Sequence, residues 1–89
     1  MLCGVTAIAP DGRRSTLEVE ARSLNYAAIE YNYRAVGNSQ GLVVPNRETL
    51  FEIDANGTLH RTSWDRVLNW AAEVARQAIR PTSKTHGTR

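Results

Sequence analysis

The chain has 89 residues, 42% of them hydrophobic and 22% charged, with a formal charge of +2. That suffices for one small domain with a modest core, at a size where the core contributes only about 3–5 kcal/mol and dimerisation is a common remedy. The single Cys3 excludes an intramolecular disulfide framework, and no run approaches the roughly 18 apolar residues of a membrane span.

The N-terminal stretch MLCGVTAIAP lacks the basic start and long apolar core of a signal peptide, so a cytoplasmic protein is expected. Cys3 has no evident base or cation beside it and is expected to be a small, half-buried strand residue. The first turn signal is APDGR, residues 9–13. Pro10 favours the first central position of a type I turn, and Gly12 supplies the left-handed residue that closes a three-residue loop. The register that follows sets Ala9 opposite Arg13, Val5 opposite Leu17 and Cys3 opposite Val19. It places Cys3, Val5, Ala7, Leu17 and Val19 on one face and Thr6, Thr16, Glu18 and Glu20 on the other. Leu2 and Ile8 fall on the polar face.

Ser23 then caps a helix over 24–36, with apolar spacing at Leu24, Ala28, Tyr31 and Ala35, and Gly37 marks its end. At this point the chain resembles a loose group of small uncharacterised bacterial proteins. The shared features are a hairpin around Asp11-Gly12, a strand ending Val19-Glu20-Ala21, and a helix start with Ser23-Leu24 and Ala27-Ala28. The resemblance covers residues 5–30, about a third of the chain, and implies a fold but no activity.

The loop GNSQGLVVPNRE is the least patterned segment. Its LVV is either an edge strand or a packed flap, and Pro45 argues against a central strand. The stretch is too poor in glycine for a phosphate loop, and no Gly-Lys-Ser/Thr follows it.

A second turn signal, DANGT at 54–58, is read by the same three-residue rule. This sets Asp54 opposite Thr58, Ile53 opposite Leu59 and Glu52 opposite His60. Phe51, Ile53 and Leu59 then share the core face, while Glu52, Asp54, His60 and Leu50 face outward. Thr62 or Ser63 caps a second helix from Trp64, with Asp65 in its first turn as part of a T-x-x-D capping box. The helix carries an apolar stripe of Trp64, Val67, Leu68, Ala71, Val74, Ala75, Ala78 and Ile79, and Pro81 ends it. The two turn glycines lie 45 residues apart, which hints at a duplicated β-β-α unit.

The expected fold is therefore α+β: two hairpins in a four-stranded antiparallel sheet with two helices on one face (ββαββα). Residues 1–79 form the domain and 80–89 a flexible basic tail. Residues 1–79 hold eight arginines against nine acids, and the tail adds Arg80, Lys84 and Arg89.

His60, Ser63 and Asp65 lie close in sequence, but a catalytic triad needs nucleophile, base and orienting group to converge. Here all three have structural assignments pointing different ways, so no catalytic residue is expected. His60 and His86 are too far apart for a zinc site with one cysteine; no metal or cofactor is expected. Tyr26, Tyr33 and Arg34 on the first helix and Trp70 on the second are candidates for partner binding, since exposed aromatics beside arginine suit interfaces. A sheet face carrying Glu18, Glu20, Glu52 and Asp54 would repel phosphates, leaving Arg13, Arg14, Lys84 and Arg89 as a salt-sensitive nucleic-acid surface. The reading that follows is a small non-catalytic protein-interaction or regulatory module, with homodimerisation as one form. The alternative is a nucleic-acid-associated protein binding through Arg13, Arg14 and the tail.

Overall fold

The computed structural model describes residues 1–38 and 40–86. The elements run β1 (Leu2–Ile8), β2 (Arg14–Glu20), α1 (Leu24–Asn38), β3 (Leu50–Ala55), β4 (Thr58–Ser63) and α2 (Trp64–His86). The strands form one antiparallel sheet in the order β2-β1-β3-β4, so the two hairpins meet through their first strands, with Val5 opposite Ile53. This is the expected ββαββα arrangement.

The first hairpin has the register its turn chemistry specifies: Cys3 faces Val19 and Val5 faces Leu17. The Gly12 N–H donates to the Ala9 carbonyl and the Ala9 N–H to the Arg13 carbonyl, both at 2.8 Å, while Gly12 sits at φ +93°. A side chain there would be strained.

The second hairpin departs from its expected register by one residue. Ile53 faces His60, Asp54 faces Leu59 and Ala55 faces Thr58. The cause is Asn56, which itself adopts the left-handed region at φ +54° beside Gly57 at +77°. Two consecutive left-handed residues make a two-residue loop whose twist matches that of the strands. Because the side-chain period is two, the slip exchanges faces. Leu59 turns outward and is exposed, and His60 turns to the helix-covered face, half-buried at the sheet edge. Glu52 consequently lies opposite Arg61 rather than His60 and pairs with it at 3.3 Å.

The core lies between the sheet and the helices. Cys3, Val5, Ala7, Val19, Phe51, Ile53 and Ala55 of the sheet are buried with Ala27, Ala28, Tyr31 and Ala35 of α1 and Trp64 and Val67 of α2. Small alanines let α1 approach the strands closely, while three aromatic rings bridge the layers. Tyr31 meets Phe51 edge-on at 5.7 Å, and Phe51 meets Trp64 at 5.8 Å. Such pairs contribute about 0.5–1.5 kcal/mol each beyond the area they bury. The segment LVV is a packed flap and not a strand: Val43 is buried, Leu42 lies against the core and Val44 is exposed. Leu2 and Leu50 are exposed on the uncovered face of the sheet.

Ser23 caps α1 as expected, its Oγ accepting the Tyr26 N–H at 3.3 Å. Gly37 does not stop the helix, which runs one residue further to Asn38. At α2 the cap is Ser63, whose Oγ accepts the Arg66 N–H at 3.2 Å. Pro81 does not end α2, which continues to His86. Proline removes the donor to the carbonyl four residues back, but the preceding turn is exposed at Arg76 and Gln77, so water reaches it. Residues 80–86, expected to begin a flexible tail, continue the helix; residues 87–89 lie outside the described residues.

Candidate interaction surface

Two of the four candidate aromatic-patch residues meet each other. Tyr26 of α1 and Trp70 of α2 pack edge to face, centroids 5.2 Å apart and planes at 90°. The Arg22 guanidinium stacks over the Tyr26 ring at 4.2 Å. Both rings are half-buried, so the pair joins the two helices and leaves only part of its surface to solvent. Tyr33 lies two turns further along the same flank of α1, is 77% exposed and has exposed Val36 beside it. Arg34 pairs with Glu30 at 3.4 Å and donates to the Glu18 carbonyl at 3.4 Å. The four residues are thus spread along a helix pair and form no single patch.

The larger feature is α2 itself. Its 23 residues span about 34 Å, while the seven-residue strands span only about 23 Å. The helix starts at the end of β4 and runs back past the start of α1, so its second half outruns the body. Trp64 and Val67 are buried, Ala71 is half-buried, and every side chain from Ala72 to Ala78 is exposed. The apolar stripe does not stop where the body stops. Trp64, Val67, Ala71, Val74 and Ala78 follow one heptad seam, flanked by Leu68 and Ala75. Its first half packs on the chain's own core, while Val74, Ala75 and Ala78 are exposed, uncovered among the described residues. Periodicity marks Val74, Ala75 and Ala78 as members of the apolar stripe without indicating what covers them; length supplies that signal, since a helix much longer than its strands cannot be covered by them.

The arginines proposed for phosphate contact are already engaged. Arg13 pairs with Asp11 at 2.9 Å within the first turn. Arg14 reaches across the outer face to Glu52 at 2.9 Å, and Arg61 holds the other Glu52 oxygen. The side chain of Lys84 and all of Arg89 lie outside the described residues. The outer face also carries a shallow groove of about 310 Å³ between Ile8, Leu50, Arg61 and Arg66.

His60, Ser63 and Asp65 do not converge. His60 faces inward at the sheet edge, Ser63 caps α2, and Asp65 accepts hydrogen bonds from Arg47 and from Asn69, the latter at 3.4 Å. Cys3 is fully buried. Among the described residues no cluster of three or more His, Cys, Asp or Glu could hold a metal, and no helix is long and apolar enough to cross a membrane. No family model, curated protein or solved structure matches the chain.

Proposed function

We propose that the protein is a non-catalytic interaction or regulatory module that engages a protein partner through the projecting half of α2. One observation carries this reading: the apolar stripe that anchors α2 to the core continues, exposed, from Val74 to Ala78. Helical stability in proteins comes mostly from packing an apolar face, and isolated helices shorter than about 12–15 residues are marginal in water. A projecting amphipathic half-helix is therefore stabilised when something covers it. The absence of a catalytic role draws support from the structural employment of Ser63 and the burial of Cys3.

A photo-crosslinking amino acid at Gln77, which is exposed on the rim of the stripe, tests the reading in living cells. A protein adduct is expected there and not with the same probe at Asp11, on the first turn. An identical pattern at both positions, or no adduct at Gln77, would remove the proposal. The nucleic-acid reading is weaker because Arg13 and Arg14 already neutralise carboxylates. Fluorescence anisotropy with generic duplex and single-stranded DNA and RNA at physiological salt decides it; tight binding there would favour it over a protein partner.

A further inference from the structure

We infer that the groove on the outer face of the sheet binds a small amphiphilic carboxylate, its apolar body on Ile8 and Leu50 and its charged end on the guanidinium of Arg66. This site lies apart from the α2 stripe and does not depend on the reading above. Ile8 stands opposite Leu50 in the β1–β3 register, and both line the groove with Arg61 and Arg66. Leu50 is 53% exposed, so the floor is an apolar surface open to water. Its volume of about 310 Å³ stands at the lower end of ligand pockets, roughly 300–1,000 Å³, so the ligand is small.

Arg66 identifies the charge of that ligand. Among the described residues, every other arginine from Arg13 to Arg76 pairs with a carboxylate or, at Arg22, stacks on Tyr26; Arg66 does neither. It also stands in the first turn of α2, where the helix dipole disfavours a cation. Asp65, the acid of that turn, is taken by Arg47. An uncompensated guanidinium beside an apolar floor is complementary to an anion with an apolar body, and its planar fork matches a carboxylate. The neighbouring charges agree. Arg14 and Arg61 share the single carboxylate of Glu52, so this end of the face holds three guanidiniums against one acid. Glu18 and Asp54 stand further along the face, level with Gly4, and disfavour an anion there.

Octanoate below its micelle concentration is the probe. Titrated into the full chain at physiological salt and followed by amide NMR, it should give saturable shifts at Ile8, Leu50, Arg61 and Arg66. Octanol (the body without the charge) and acetate (the charge without the body) should each bind at least about tenfold more weakly, equivalent to ~1.4 kcal/mol. Arg66→Gln should weaken octanoate by a similar factor, and Leu50→Ser should weaken it as well. Both side chains are exposed, so far-ultraviolet dichroism should report an intact fold for each variant. No saturable shift at these residues, binding indifferent to Arg66→Gln, or equal affinity for octanol, acetate or inorganic phosphate overturns the inference. Shifts confined to Val74, Ala75 and Ala78 also overturn it, since they mark association with the α2 stripe, and they leave the interaction reading standing.

Discussion

The Tyr31 hydroxyl accepts a 3.0 Å hydrogen bond from the backbone N–H of Val43, and both residues are buried. This bond fastens the flap between α1 and β3 onto the helix, and it satisfies two polar groups that would otherwise be stranded in the core. Tyr31→Phe keeps the ring against Phe51 but leaves the Val43 N–H unpaired. A loss of about 1–3 kcal/mol is expected, measured by urea unfolding, with faster amide exchange at Val43. Unchanged exchange there would show that the flap is held by packing alone.

Tyr26 and Trp70 join the helices edge to face. A double-mutant cycle with Tyr26→Leu and Trp70→Leu should give a coupling of about 0.5–1.5 kcal/mol. Additive losses would mean that each ring contributes only through its own burial.

The second turn depends on two left-handed residues, Asn56 and Gly57. Gly57→Ala should cost about 1–2 kcal/mol, because Cβ disfavours positive φ. Asn56→Gly should be nearly neutral. Thermal unfolding of the two variants makes the comparison; equal losses would contradict the two-residue loop.

Asp11 accepts the backbone N–H of Arg13 at 3.1 Å and also pairs with its guanidinium, which lowers the carboxyl pKa below its ordinary 3.8. A folded-state pKa below the unfolded one stabilises the fold above the unfolded value, and the gain is lost as pH falls through the lowered one. Full exposure keeps the contribution small. Carboxyl carbon shifts followed by NMR should place the Asp11 midpoint below 3.8, and Arg13→Ala should move it partly back. A midpoint unmoved by that substitution would leave the side chain of Arg13 without influence on Asp11.

Local chemistry made much of this protein legible in its sequence. Pro10-Asp11-Gly12 dictated the first hairpin and its register, because only one residue there needs positive φ. Ser23 announced α1, and the alternation of Cys3, Val5 and Ala7 announced the buried face. The second hairpin differs from its expected register by one residue because Asn tolerates both backbone regions, so DANGT is compatible with loops of two or three residues. The strand faces did not arbitrate, since Leu59 and His60 are each tolerable on either side of an edge strand.

The sequence by itself thus determined the order and kind of the elements, since caps, turns and periodicity act over a few residues. Only the tertiary structure decided what each apolar position meets. It turned Tyr26 and Trp70 toward each other, engaged Arg13 and Arg14 with carboxylates, and carried α2 beyond the sheet with Val74, Ala75 and Ala78 uncovered. Periodicity shows that a face is apolar; whether that face is covered depends on how far the neighbouring elements reach, which is a property of the whole fold.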